Sequence, residues 1–101
     1  MPDNTITKPR TKTTTKTARP PLYKVILLND HFTPREFVVQ VLKGVFRMNA
    51  GRAHAVMMTA HRKGACVIAV YARDVAESKA KEATDLGKQK GYPLYFTTEK
   101  E

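Results

Sequence analysis

Hydrophobic positions along the chain alternate between short strand-like runs and longer stripes at helical spacing. The short runs carry the β-branched and aromatic residues typical of strands; they are LYKVILL (22–28), ACVIAVY (65–71) and YPLYFTT (92–98). The helical stripes cover roughly 34–46, 50–63 and 74–91. This β-α-α-β-α-β order predicts an α+β fold: a small two-layer sandwich in which a three-stranded antiparallel sheet packs against three helices.

Capping signals specify the start of the first helix. Thr33 is the predicted N-cap, and Pro34 takes the first helical position, where its missing N–H is harmless. Glu36 stands three residues after the cap and completes a capping box. We also expect Phe32 to pack on Phe37 as a hydrophobic staple.

The other two helices have capping signals of their own. Asn49 is the predicted N-cap of the second helix, and Gly64 is its predicted stop. Asp74 with Glu77 repeats the capping-box pattern at the start of the third helix, which we expect to end near Gly91.

Residues 1–20 differ in composition from the rest of the chain. They contain seven Thr, three Pro and five Lys or Arg against one Asp, with no aromatic residue. Such a segment cannot bury enough apolar surface to offset its ordering entropy, so we expect a flexible, disordered basic N-terminal extension. It could bind nucleic acid, be inserted into another protein complex, or serve only as a solvated leader with no function. The remaining residues, 21–101, form the predicted core domain.

Composition and charge limit the class of protein. A chain of 101 residues with 42% apolar residues fits one domain, and a net charge of +9 favours an acidic partner, nucleic acid or an anionic membrane. Cys66 is the only cysteine, which excludes an intrachain disulfide, and we expect it to be a buried small hydrophobe. No secretory signal and no apolar run of about 18 residues is present, so we expect a soluble, cytoplasmic protein.

Polar residues gather between the first strand and the first helix. Asn29, Asp30 and His31 follow the strand directly, and His61 borders the apolar face of the second helix. If the two helices pack side by side, this loop approaches His61. Asn and Asp oxygens and a neutral His nitrogen all accept hydrogen bonds, which suits a primary amine. The alternative is structural, because Asn29 and Asp30 are also ordinary turn formers and His61 could be a half-buried helix residue.

Other chemistries have weaker support. A metal site from Asp30, His31, His54 and His61 lacks a recognised ligand spacing, so we expect no metal or other cofactor. Ser78 is the only serine and lies on the third helix, so the sequence offers no activated nucleophile and we expect no enzymatic activity. The chief alternative function is a small basic nucleic-acid-binding domain. Against it, the core has no helix lined with Arg and Asn and no stacking array of aromatic residues.

Four segments resemble the ClpS family, adaptors of the bacterial Clp protease, over about Pro21 to Glu101. They are LLNDHFTPREFVVQVL, MMTAHRKG, AVYARDVAESK and YPLYFTTEKE. The resemblance implies a non-enzymatic adaptor that binds proteins with an N-terminal Phe, Tyr, Trp or Leu. It would deliver them to a ClpA-type AAA+ unfoldase for degradation by ClpP, with the N-terminal extension engaging the unfoldase. We expect a monomer with no nucleic-acid or membrane partner.

The resemblance also implies roles for individual residues. Asn29, Asp30 and His61 would hold the α-amino group and first peptide unit of the substrate. Asp74 and Lys79 correspond to the surface that docks on the N-terminal domain of the unfoldase. The pocket for the first side chain would be lined by Thr33, Arg35, Val38, Met57, Ala60 and Leu94.

Three positions depart from the usual family pattern. His31 replaces a second acidic residue, which alters one contact at the amine site. Arg35 replaces the Met that excludes β-branched side chains at the pocket edge. Ala60 replaces a larger aliphatic residue and should deepen or widen the pocket. We therefore expect a divergent member, a second copy in its organism, with narrower or weaker recognition.

Overall fold

The computed structural model describes residues 20–101, so the predicted extension lies outside the described residues except for Pro20. The elements are β1 (Leu22–Leu28), α1 (Arg35–Phe46), α2 (Ala50–Lys63), β2 (Ala65–Ala72), α3 (Arg73–Gln89) and β3 (Tyr95–Lys100). Their order is the predicted β-α-α-β-α-β. Within residues 20–101, no helix is both long enough and apolar enough to cross a membrane.

The sheet has the strand order β2-β1-β3, and both pairings are antiparallel, as predicted. Val25 and Leu27 of the central strand are buried in the core. The β1–β2 register shifts between Val25 and Ile26, and Ile68 is the extra residue on β2. Because a bulge bends the strand locally, Ile68 can enter the core, where it is 2% exposed.

The hydrophobic core joins one face of the sheet to all three helices. Leu42, Ile68 and Val25 are its largest fully buried side chains. The helix α3 contributes small residues, since Ala76, Ala80, Ala83 and Gly87 are its buried positions. Small residues let α3 approach the sheet and α1 closely.

The ends of α2 match the prediction, whereas the predicted Thr33 cap of α1 is wrong, although α1 starts within one residue of the predicted Pro34. The Asn49 side chain accepts a hydrogen bond from the Arg52 N–H at 2.8 Å, and Gly64 ends α2 in the left-handed conformation that glycine favours. Before α1, the cap position falls on Pro34, and no side chain caps the helix. The Thr33 hydroxyl instead donates to the Asp30 carboxylate at 2.8 Å, which directs this side chain into the turn before the helix.

The predicted staple and the second capping box are also wrong. Phe32 is 80% exposed, and Phe37 packs edge-on against Tyr92 with ring centroids 5.0 Å apart. The helix α3 starts at Arg73 without a side-chain cap. Glu77 pairs with the Arg73 guanidinium at 3.2 Å, so its carboxylate is not used for capping.

The strand β3 begins three residues later than predicted. The Tyr92 N–H donates to the Gly87 carbonyl at 2.9 Å, in the turn that ends α3. Residue 92 is therefore held by the helix end, and strand pairing starts at Tyr95.

Candidate functional site

A cavity of about 150 Å³ opens where the end of β1, the start of α1 and the end of α2 meet. All ten residues predicted for the amine site and the side-chain pocket line it, together with Leu27 and Leu28. The twelve are Leu27, Leu28, Asn29, Asp30, His31, Thr33, Arg35, Val38, Met57, Ala60, His61 and Leu94. The two leucines were not predicted as lining residues, although their position directly before Asn29 at the end of a strand could have indicated them.

Apolar side chains form the floor of the cavity, and polar ones form its rim. The buried floor residues are Leu27, Val38, Met57, Ala60 and Leu94. Asn29, Asp30 and Thr33 are half-buried, whereas His31, Arg35 and His61 are exposed. The site therefore offers an apolar recess with hydrogen-bonding groups at its mouth.

The Asp30 carboxylate organises the loop between β1 and α1. One oxygen accepts from the backbone N–H groups of Phe32 and Thr33 at 2.8 and 2.7 Å. The other oxygen accepts from the Thr33 hydroxyl at 2.8 Å. A carboxylate has about four acceptor sites, so three are used within the turn and about one is left for a ligand.

A backbone hydrogen bond holds this loop against the end of α2. The Asn29 N–H donates to the Gly64 carbonyl at 3.0 Å. His61 lies in the last turn of α2, three residues before Gly64. The expected approach of the loop to His61 is therefore present in the structure.

His61 is in direct contact with Arg35 across the mouth of the cavity. The Arg35 Nη2 lies 3.2 Å from the His61 Nε2. A guanidinium has only donors, so the Nε2 must be the acceptor. An imidazole that makes this bond is neutral and carries its proton on Nδ1.

Asp74 and Lys79 lie on α3 and do not line the cavity. They belong to a shallow surface with Val75, Ser78 and Glu82. The Lys79 ammonium donates to the Val45 carbonyl at 2.9 Å, near the C-terminal end of α1 where a positive charge is favourable. Asp74 is exposed, whereas Lys79 is half-buried and links α3 to α1.

Two other candidate groups do not form reactive sites. Within residues 20–101, no group of three or more His, Cys, Asp or Glu could hold a metal ion. Cys66 is partly buried against the core rather than fully buried, and this burial raises the pKa of its thiol. A raised pKa keeps the thiol protonated, and the protonated form is a poor nucleophile.

The comparisons with known proteins agree on one family. The sequence profile described as "ATP-dependent Clp protease adaptor protein ClpS" matches residues 18–97. The chain belongs to the ClpS family. The predicted resemblance is therefore confirmed, and the coarse function is that of a ClpS adaptor of the Clp protease.

Bacterial ClpS proteins align in sequence with nearly the whole chain. A protein named ATP-dependent Clp protease adapter protein ClpS 2, from Mesorhizobium japonicum, is 65% identical and aligns over 100% of this chain and 99% of its own. ClpS 1 of Bradyrhizobium diazoefficiens is 61% identical over 98% of each chain. A solved structure of Agrobacterium tumefaciens ClpS2 bound to L-phenylalaninamide is 66% identical, with a TM-score of 0.81. It covers 82% of this chain and 100% of that one, which supports the predicted α+β fold.

Proposed function

We propose that this ClpS protein binds other proteins through a free α-amino group and a bulky apolar first residue. It then delivers them, as a cytoplasmic monomer, to a ClpA-type AAA+ unfoldase for degradation by ClpP. The observation that carries this proposal is a single cavity with an apolar floor and a hydrogen-bonding rim.

The floor suits an aromatic or large aliphatic side chain. The whole cavity, about 150 Å³, has the volume of an enclosed cavity that holds a benzene ring, and its floor is apolar. The related Agrobacterium ClpS2 binds L-phenylalaninamide, which carries a phenyl ring, a free amine and an amide. Burying a Phe or Leu side chain here would contribute about 1.5–3 kcal/mol.

The rim suits the α-amino group and the first peptide unit. The Asn29 side-chain carbonyl, the remaining acceptor site of Asp30 and the His61 Nε2 can each accept from an ammonium. Each such hydrogen bond would add about 1.5–3 kcal/mol. After the cost of association, micromolar or tighter binding is expected. His31 supplies no second carboxylate, so the amine site has less negative charge than is usual in the family.

Delivery to the unfoldase would use a surface on α3 that lies outside the cavity. Asp74 is exposed and available to a partner. Lys79 uses one donor on Val45, which leaves two of its three for a docking surface. The basic N-terminal extension, with net charge +4 by composition, would engage the unfoldase during transfer.

Peptide binding tests the proposal directly. A peptide that begins with Phe should bind, and the same peptide with an acetylated N-terminus should bind at least about tenfold more weakly, the factor for roughly 1.4 kcal/mol. Equal affinities would contradict the amine-site proposal.

Substitutions in the rim test the residue roles. Asn29→Ala and His61→Ala should each weaken binding of the Phe peptide by more than about tenfold, because each removes an acceptor for the ammonium. His54→Ala is a matched control, since His54 is exposed on the same helix and does not line the cavity. A far-ultraviolet circular dichroism spectrum should be unchanged in all three. Neutral results at both rim positions would exclude these roles.

A further inference from the structure

The rim of the cavity has an unusual balance of charge. Among the twelve described residues that line it, Asp30 carries the one carboxylate and Arg35 the one guanidinium. Asp30 is half-buried and already accepts three hydrogen bonds within its own turn. Arg35 is exposed at the mouth. A ligand chain that leaves the cavity therefore passes a permanent positive charge.

The ion pairs formed within residues 20–101 do not neutralise this charge. They lie elsewhere, between β1 and β3 and along α3. Glu36 is the nearest acid in sequence, but neighbouring residues on a helix do not face each other. The described polar contact of Arg35 is the one with His61.

Binding of an α-amino group to His61 would displace Arg35. The Nε2 of a neutral imidazole has one lone pair, and in the free protein it accepts from Arg35 Nη2 at 3.2 Å. An ammonium that takes this lone pair releases the guanidinium, which stays at the mouth because Arg35 is anchored at the start of α1. The released guanidinium presents pairs of parallel N–H donors, which match the two oxygens of a carboxylate.

We propose that Arg35 makes this protein select substrates with an acidic residue directly after the N-terminal one. This inference rests on the proposed function, because it takes the first side chain to fill the cavity. The second residue is then the first outside the recess, about 3.5 Å further along an extended chain. Its carboxylate receives the guanidinium that the α-amino group displaces from His61.

Three peptides that differ only in the second residue test this inference. Phe-Glu, Phe-Gln and Phe-Lys peptides of otherwise identical sequence are titrated with the full chain, and the dissociation constants are measured by fluorescence anisotropy. The Glu peptide should bind about 1.5-fold to fivefold more tightly than the Gln peptide, which is the range for an exposed ion pair. The Lys peptide should bind more weakly than both. We define the Glu/Gln ratio as the affinity for the Glu peptide divided by the affinity for the Gln peptide. This ratio should fall towards one between about 0.05 M and about 0.5 M NaCl, because salt screens an exposed ion pair.

Two variants separate Arg35 from the general positive charge of the chain. Arg35→Gln should bring the Glu/Gln ratio close to one, and Arg35→Lys should retain part of it. Arg62→Gln removes the same charge from an exposed residue that does not line the cavity, so its ratio should match that of the unmodified chain. The inference would be overturned if Arg35→Gln left the Glu/Gln ratio unchanged, or if the unmodified chain had a ratio of one. In either case the proposed function would still stand, provided that the Phe peptides bind. Failure of all Phe peptides to bind would overturn the proposed function together with the inference.

Discussion

The contact between Gly87 and Leu94 links the packing of α3 to the cavity. A Cβ added at Gly87 would lie 2.9 Å from the Leu94 Cβ, and Leu94 lines the floor of the cavity. The Cβ of Leu94 is fixed by its own backbone, so a change of rotamer cannot relieve the overlap. Gly87→Ala must therefore shift the segment that carries Leu94. Gly44 is a matched control, because it also lies within a helix and an added Cβ there meets nothing within 4 Å.

The two substitutions should change stability in opposite directions. Replacing a helical glycine by alanine stabilises by about 0.5–1 kcal/mol when no clash results, which is the expectation for Gly44→Ala. At Gly87 the same gain is opposed by an overpacking cost of about 1–3 kcal/mol. The expected net effect of Gly87→Ala is a loss of about 0.5–2 kcal/mol in the free energy of unfolding. It should also weaken binding of a Phe peptide, because Leu94 moves.

Urea denaturation and peptide titration measure both effects. The midpoint should rise for Gly44→Ala and fall for Gly87→Ala at unchanged m-value. Each kcal/mol corresponds to about 4–8 °C in Tm for a domain of this size. If Gly87→Ala is stabilised as much as Gly44→Ala and binds peptide normally, then the close approach to Leu94 does not constrain the fold or the site.

Three further predictions concern single contacts. Lys79→Met should lower the free energy of unfolding by about 1 kcal/mol in urea denaturation, because the Val45 carbonyl loses its donor; an unchanged value would contradict the contact. Cys66 should be alkylated by iodoacetamide more slowly in the folded chain than in urea at about pH 8, since burial raises the pKa of its thiol; equal rates would refute this. A hydrogen bond from Lys81 lowers the pKa of Asp85, so its stabilisation is present above the ordinary carboxyl pKa and is lost as the pH falls through the lowered one. Lys81→Met should therefore flatten the decline of Tm in acid, and identical curves for both proteins would exclude the effect.

The elements and their order could be predicted from sequence because hydrophobic periodicity directly reflects burial. Val38, Val41, Leu42 and Val45 recur at helical spacing, and all four are buried on one face of α1. The stop at Gly64 was predictable for a local reason, because a left-handed C-cap favours glycine, which has no Cβ to strain that conformation.

The predicted cap of α1 failed because capping rules do not show which partner a side chain will choose. Thr33 fits a capping box, yet its hydroxyl and its N–H both bond to Asp30. The hydrogen bond to a charged acceptor orients the Thr33 side chain towards Asp30 and away from the N–H groups of the helix start, which an N-cap oxygen would accept from. The turn and the binding interpretations of Asp30 were posed as alternatives, but one carboxylate has acceptor sites for both.

The apolar lining of the candidate site was predictable only through the family resemblance, whereas the polar pattern alone suggested the amine site as one of two interpretations. Periodicity places His61 at the border of an apolar face, but it does not show that His61 meets the loop after β1. That meeting depends on the bond from Asn29 to Gly64, a tertiary contact between residues 35 positions apart. The contact of Arg35 with His61 was not predicted, because side-chain direction at an exposed rim is not encoded in periodicity.

The structure divides the site into a fixed part and an adjustable part. The floor residues are core residues, and Asn29 and Asp30 are held by backbone and turn hydrogen bonds, so little ordering cost remains for a ligand to meet. Arg35 and His61 are exposed and hold each other by a single hydrogen bond, which a ligand can replace. Affinity for the first residue should therefore come mainly from the fixed floor and loop. Discrimination among ligands with the same first residue should come from Arg35, because replacing its exposed contact with His61 by an exposed ion pair shifts affinity by only a few fold.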